Sequence, residues 1–289
     1  ISLHRYKDGI CAFFNDDTAI WQAEQSLRKT VDELQRSNQN LEQFAYVASH
    51  DLQEPLRKLI GFGEILASQH QASLGEEGLK LLQRMQSATQ RMHTLIRDLL
   101  SFSRLTSANH SFKRINLQAI VDEVLNDLEP IIREKKAVLD VTSLPYLEGD
   151  AGQLGQLFQN LLSNALKFVR PGEIPLIRID CEVITGSGIE SMPGTTVLAT
   201  DLNRSFFAII VSDNGIGFDE KYRDRIFTIF QRLHTRAEYP GTGIGLAVVQ
   251  RVVDNHKGYL NVRSELGKGA EFTIYLPDEP ALPEMASDL

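Results

Sequence analysis

Residues 156–168 read Gln156-Leu157-Phe158-Gln159-Asn160-Leu161-Leu162-Ser163-Asn164-Ala165-Leu166-Lys167-Phe168. They fall inside a helix expected over 153–169. Asn160, Asn164 and Lys167 recur at steps of four and three, which places all three on one face. Two neutral carboxamides and an ammonium are poor core material. They suit the oxygens of a metal–triphosphate, because an amide oxygen can ligate a hard cation and a lysine can offset phosphate charge. A solvated polar face would show the same stripe, so the neighbouring segments have to decide.

Downstream, the apolar strand Phe206–Val211 runs into Asp213-Asn214-Gly215-Ile216-Gly217-Phe218. A carboxylate at a strand end can accept from an adenine amino group, and glycines beside it admit close approach. Turns of this type are common on their own. Gly241-Thr242-Gly243-Ile244-Gly245-Leu246 then leads into a helix expected over 243–255. Glycines there expose backbone N–H groups to a phosphate at the positive end of a helix. Leu246 and Ala247 follow the last glycine, where a P-loop carries Lys and Ser or Thr, and the spacing is not that of GxGxxG either.

The flanking pattern is mixed α/β. A helix is expected over 117–136, and strands over 137–144, 176–184 and 205–213. The Gly/Ser/Thr-rich stretch 185–196 reads as a loop or hairpin tip. A short helical patch starts at 220–225. A terminal hairpin, 259–264 and 270–276, turns on Gly267-Lys268-Gly269. The Pro- and acid-rich tail after it is expected to be disordered.

Upstream the period is helical from about Thr18 to Gln69. Leu27, Val31, Leu34, Asn38, Leu41, Ala45, Ala48 and Leu52 alternate steps of four and three, the seam of a two-stranded coiled coil, with Asn38 as the polar position that fixes register. Pro55 should bend this helix. After a loop at 70–76, a second amphipathic helix carries Leu79, Leu82, Met85, Met92, Leu95, Ile96, Leu99 and Leu100. Two such helices form an antiparallel hairpin, and two copies form a four-helix bundle. His50 lies outside the apolar seam. There an imidazole can act as a nucleophile toward phosphorus, and Asp51 beside it can hold the far ring nitrogen protonated. Taken alone, a surface His-Asp pair on a helix carries little weight. Residues 1–18 read as a hairpin turning on Lys7-Asp8-Gly9. The chain opens without Met in an alternating run, so a fragment of a longer protein is expected.

At 289 residues the chain exceeds one average domain. Its net charge of −8 gives no reason to expect nucleic acid or an anionic membrane as partner. Cys11 and Cys181 lack CxxC spacing, which speaks against a disulfide framework or zinc site and for a reducing compartment. No run approaches the roughly 20 apolar residues that span a bilayer, and the first residues hold no apolar h-region, so no signal peptide is expected in them. A cytoplasmic location is expected.

Four segments in this order resemble the histidine kinases of two-component systems. SHDLQEPLR (49–57) is similar to their H box, NLLSNALKF (160–168) to the N box, DNGIGF (213–218) to the G1 box and GTGIGL (241–246) to the G2 box. Phe227 and Phe230 are similar to the F box. The resemblance spans about Leu41 to Pro277, and its nucleotide part extends to gyrase, heat-shock chaperone and mismatch-repair ATPases. It implies a coiled coil and an antiparallel helical hairpin forming a dimeric four-helix bundle, followed by an α/β sandwich ATP-binding domain with a mixed sheet. The domains would be a PAS-like C-terminal hairpin (1–18), a coiled-coil linker (19–40), a dimerisation and histidine phosphotransfer domain (41–108), a catalytic ATP-binding domain (109–278) and a disordered tail (279–289).

The same resemblance implies that His50 is phosphorylated from Mg·ATP, with Asp51 as acid/base partner, and that the phosphoryl group passes to an aspartate of a response regulator receiver domain. Asn160 would ligate Mg²⁺, with Asn164 and Lys167 at the phosphates and Phe168 near the base. Asp213 would accept the adenine amino group, with Gly215 and Gly217 shaping the pocket. Gly241, Thr242, Gly243, Gly245 and Leu246 would line the phosphates. Residues 218–240 would form a mobile lid, with Arg232 contacting the γ-phosphate. An upstream sensor domain in the same chain is implied as well. One departure stands out: Glu54 occupies the position four after His50, where many members carry the Thr or Asn associated with phosphatase activity. Two other readings compete. An ATPase coupling hydrolysis to motion leaves His50 unexplained, and a non-enzymatic dimeric scaffold leaves the polar pocket residues unexplained.

Overall fold

The structure, a computed structural model, describes the backbone of residues 2–6, 9–13, 18–69, 71–105, 112–192, 195–235, 238–239 and 241–278. It describes the side chains of the same residues except 2–6, 9–13, 18–20, 23–24, 31–51 and 71–72. The expected disordered tail, 279–289, lies outside the described residues. The chain forms two compact units, residues 1–48 and 49–289.

The first unit holds strands β1 (Ser2–Tyr6) and β2 (Gly9–Phe13), paired antiparallel from Ser2 opposite Phe13 to Tyr6 opposite Gly9. This is the hairpin expected around Asp-Gly. Helix α1 (Thr18–Gln69) starts here and continues without interruption through Pro55 into the second unit. Most of the expected coiled-coil seam, Val31 to Ala48, falls on side chains outside the described residues.

In the second unit α1 is followed by α2 (Gln71–Arg104), whose backbone departs from helical geometry at Gly75 (φ 62°). Among the described residues of the expected connection at 70–76, the break falls at Gly75, a residue that tolerates positive φ without strain. Leu56, Leu82 and Leu100 are buried, and α1 meets α2 at Gly63, where a Cβ would stand 2.9 Å from Gln86 Cγ. Leu52, Leu59, Phe62, Ile65 and Leu66 on α1 remain exposed, as do Leu81, Met85 and Met92 on α2. Single exposed apolar side chains are ordinary, but a stripe of them along two helices is not. No helix among the described residues is long and apolar enough to cross a membrane.

The rest of the unit is α/β. Strand β3 (Lys113–Asn116) leads into α3 (Leu117–Lys135), capped by Asn116 Oδ1, which accepts from the Gln118 amide. Strands β4 (Val138–Val141) and β5 (Tyr146–Gly149) follow, then α4 (Ala151–Lys167), β6 (Leu176–Thr185), α5 (Gly186–Glu190), β7 (Ser205–Asp213), α6 (Gly245–Asn255), β8 (Tyr259–Glu265) and β9 (Gly269–Pro277). Five strands form one sheet in the order β4-β6-β7-β9-β8. β4 is parallel to β6 and every other pairing is antiparallel, so the sheet is mixed, as expected. β3 and β5 make a separate two-stranded ladder, which the pattern of the sequence did not signal.

The inner face of the sheet packs on α3, α4 and α6 through Ile177, Ile179, Ile209, Val211, Phe272 and Ile274. The stretch 185–196, expected to be a loop, is not a bare tip. Its α5 and the segment after it lay Ile189 and Val197 on the outer face against Phe206, Ala208 and Tyr275. Tyr259 fastens this cover, since its hydroxyl donates to Asp201 Oδ2 (2.7 Å) and accepts from the Leu198 amide (3.0 Å). Glycine and serine composition hides this layer because only a few side chains in it are apolar.

Candidate active site

Helix α4 is oriented from both sides. Asp150 Oδ1 accepts from the Gln153 amide at its start (3.1 Å). The Asp150 amide in turn donates to Nε2 of buried His256 (3.0 Å), while His256 Nδ1 lies 2.8 Å from the Val252 carbonyl. That pairing requires the Nδ1–H tautomer. Leu154, Leu157, Phe158, Leu161, Leu162, Ala165 and Leu166 bury one face of α4, each fully buried large side chain contributing roughly 1.5–3 kcal/mol. The opposite face turns Gln156, Asn160, Asn164 and Lys167 into a cavity of about 370 Å³, within the range of small-molecule sites.

Asn160 Nδ2 donates to the Gln156 carbonyl (2.8 Å), so Oδ1 is the free end of the amide. It faces Gly245, where a Cβ would stand 2.6 Å from it. A hard cation would find one neutral oxygen here. Among the described residues no cluster of three His, Cys, Asp or Glu side chains could hold a metal unaided. A divalent ion would thus depend on ligand oxygens for most of its shell, the usual habit of Mg²⁺. Lys167 Nζ stands 4.1 Å from the centroid of the Phe168 ring and close to Gly241. Burial, and then the charge of Arg232, lower its pKa to about 8.

At the other end of the cavity Asp213 Oδ1 accepts from the Gly215 amide (2.8 Å) and the Ala270 amide (3.3 Å). Burial raises the Asp213 pKa, and these two hydrogen bonds oppose the rise. Oδ2 has no hydrogen-bond partner among the described residues, which leaves one uncommitted acceptor oxygen on a residue that lines the cavity. The Ile216 amide donates to the Phe168 carbonyl (2.8 Å), joining the end of α4 to this turn. A Cβ at Gly215 would collide with that carbonyl, and one at Gly217 (φ 59°) would collide with the Glu265 carbonyl. Both positions therefore require glycine.

The glycine loop before α6 has φ 156° at Gly241 and 79° at Gly243. Its residues, with Thr242, Gly245 and Leu246, line the cavity at the amino end of α6. Arg232 bonds to this loop: Nη1 donates to the Gly241 carbonyl (2.8 Å) and Nη2 to the Tyr239 carbonyl (2.6 Å). It braces the loop while still lining the cavity. Phe227 packs against the core, whereas Phe230 is exposed with φ 64°, and its amide donates to the Gly243 carbonyl (2.9 Å).

Several lining residues carried no signal in the sequence. His234 and Tyr239 form an aromatic cluster with Phe168, with ring centroids 5.0 Å apart for Phe168–Tyr239 and 5.5 Å for His234–Tyr239. From α2 come Arg97, Asp98 and Ser101, and Thr242 Oγ1 donates to Asp98 Oδ2 at 2.6 Å. His50 and Asp51 lie within α1, as expected; their side chains are outside the described residues. Glu54, one turn on, pairs with Lys58 at 2.8 Å on an exposed helix face.

Residues 40–108 match the family described as the His Kinase A (phospho-acceptor) domain. Residues 149–280 match the histidine kinase-, DNA gyrase B- and HSP90-like ATPase family. The chain is 38% identical over 251 residues to cyanobacterial phytochrome A of Nostoc sp., covering 87% of this chain and 30% of that protein. It is 35% identical over 256 residues to the phytochrome-like protein Cph1 of Synechocystis sp., covering 89% and 31%. The chain thus spans about three tenths of the length of these curated relatives. Among solved structures, full-length ShkA in complex with AMPPNP is similar with a TM-score of 0.60 and 25% identity, over 83% of this chain and 46% of that one.

Proposed function

The chain belongs to the histidine kinase family, and from that premise we propose that it autophosphorylates His50 from Mg·ATP and passes the phosphoryl group to an aspartate of a response regulator receiver domain. The observation that carries this reading is the cavity with an acceptor at one end (Asp213) and a polar stripe at the other (Asn160, Asn164, Lys167), in a chain that also bears a phospho-acceptor helical hairpin. Asp213 Oδ2 would take the adenine amino group. The Gly241–Gly245 amides and Lys167 would hold the phosphates, and Asn160 Oδ1 would ligate Mg²⁺. Bound Mg²⁺ would offset the charge on the phosphate oxygens.

In the transfer step the unprotonated ring nitrogen of His50 attacks the γ-phosphorus, and the bond to the β,γ-bridging oxygen breaks with ADP leaving. Asp51 keeps the proton on the far nitrogen. Catalysis then rests mainly on position and charge. Incubation with γ-labelled ATP is expected to give an acid-labile, alkali-stable label on the chain. Phosphate release without a protein-bound label would instead mark a hydrolase, and an acid-stable label would mark a hydroxyl acceptor. Glu54, paired with Lys58, lacks the hydroxyl or amide that could orient a water, so the proposal extends to the kinase activity alone.

Protonated Lys167 is the form that binds a polyanion. With its pKa in the free protein at about 8, Mg·ATP affinity should be level below that pH. It should fall above it, by up to about tenfold per pH unit until the higher pKa of the occupied site is passed. Calorimetric titrations at about pH 7 and about pH 9 should show this loss, and Lys167→Met should remove it.

Dimerisation would cover the exposed stripe of Leu59, Phe62, Ile65, Met85 and Met92, completing a four-helix bundle. Phe62→Asp combined with Met85→Asp is expected to convert a dimer to monomer in light scattering. A wild-type chain that is already monomeric would refute the bundle. We place the phosphotransfer region at 41–108, the catalytic region at 109–278 and the sensor-derived hairpin and coiled-coil linker before them. A sensor domain upstream and a cytoplasmic setting belong to the same reading.

A further inference from the structure

The contact between Thr242 and Asp98 joins positions 144 residues apart, and it sits where the proposed nucleotide site expects an anion. The glycine loop, the amino end of α6, Lys167 and Arg232 together make that end of the cavity electropositive. The anion placed against the loop is a carboxylate of α2: Asp98 Oδ2 accepts from Thr242 Oγ1 at 2.6 Å. The docking is not confined to one hydrogen bond. Leu99, Phe102 and Leu105 of the same stretch pack on the main core, and Asn255 Nδ2 donates to the Leu105 carbonyl (2.8 Å).

We propose that Asp98 is an intramolecular competitor for the phosphate end of the site, held there through Thr242, and that triphosphate entry displaces it. The inference rests on the Mg·ATP reading above and adds a regulatory device to it. A carboxylate and a polyphosphate cannot share one half-buried loop without strong repulsion. Either the nucleotide is bound more weakly while Asp98 is in place, or α2 lets go of the loop. Nucleotide occupancy is thereby coupled to the freedom of the helical hairpin, whose other helix carries His50. By thermodynamic reciprocity, whatever pulls α2 away from Thr242 raises nucleotide affinity by the same factor.

The test uses the whole 289-residue chain and the β,γ-imido analogue of ATP with Mg²⁺, titrated calorimetrically into wild type, Asp98→Ala and Asp98→Asn. Asp98→Ala is expected to bind about tenfold more tightly, equivalent to roughly 1.4 kcal/mol. Asp98→Asn keeps an acceptor for Thr242 but loses the charge, so it should also tighten, and it carries the test should the alanine variant fold poorly. Hydrogen exchange of residues 97–105 should speed up when wild type is saturated with the analogue, a response that a purely structural carboxylate would not give. Unchanged affinity in both variants overturns the proposal, as does weaker binding, which would make Asp98 a helper of the nucleotide or its metal. Equal binding in all three proteins removes this inference and leaves the site intact. No binding in any of them removes the site reading and this inference with it.

Discussion

His50→Gln is expected to lower the acid-labile label from γ-labelled ATP to background, a loss of roughly 10³-fold or more, while leaving Mg·ATP binding unchanged. Glutamine has comparable reach and helix propensity, so α1 should persist. Its amide nitrogen has no lone pair free for attack, which removes the nucleophile and little else. The split between lost transfer and retained binding is the informative part. Residual label at an alkali-labile residue would place the acceptor elsewhere, and parallel loss of binding would point to a folding defect.

Asp213→Asn should weaken Mg·ATP binding by roughly a hundredfold, about 2.7 kcal/mol, although the two side chains are nearly the same shape. The cause lies in the other oxygen. Oδ1 accepts from the amides of Gly215 and Ala270, so an asparagine must point its single oxygen at those two donors and its NH₂ into the cavity. A donor would then face the adenine amino group, which is also a donor. The same substitution should improve the relative binding of a purine with a carbonyl at that position, such as inosine triphosphate. Titration of both nucleotides into both proteins reads the exchange. An Asp213→Asn protein that binds ATP as well as wild type would remove Asp213 from the base-recognition role.

The elements that hold the site could be read from local pattern. α4 was expected over 153–169 and occupies Ala151–Lys167, and β7 falls on Ser205–Asp213 as expected. Both have strong apolar periodicity, and Asp150 supplies the cap that fixes where α4 begins. What stayed hidden depends on pairing at a distance. β3 and β5 are four residues each and find each other across thirty positions, too short to leave a period. Residues 185–196 read as a loop or hairpin tip because Ile189, with Val197 and Leu202 after it, suffices to cover the outer face of the sheet. Arg232 shows the limit for site residues. The family resemblance implied a γ-phosphate contact for it inside the lid; its hydrogen bonds to the Gly241 and Tyr239 carbonyls, which depend on the folded loop, left no trace in the local sequence. Asp98 had no local signal at all, since its meaning comes from Thr242.

The stitching of the loop over the cavity has a mechanical consequence. Arg232 ties the carbonyls of Tyr239 and Gly241, and the Phe230 amide ties Gly243. On the facing side, Ile216 is tied to the Phe168 carbonyl. The site thus has two stitched sides: α4 joined to the Asp213 turn on one, and Phe230, Arg232, Tyr239, Gly241 and Gly243 linked by hydrogen bonds on the other. In the proposed nucleotide site, any opening of the second side would carry the glycine amides of Gly241 and Gly243 with it, because Arg232 and Phe230 are tied to their carbonyls. On the proposed reading, spent nucleotide would lose its phosphate contacts as that side opens, while the Asp213 turn, tied to α4 through the Phe168 carbonyl, would still hold the base.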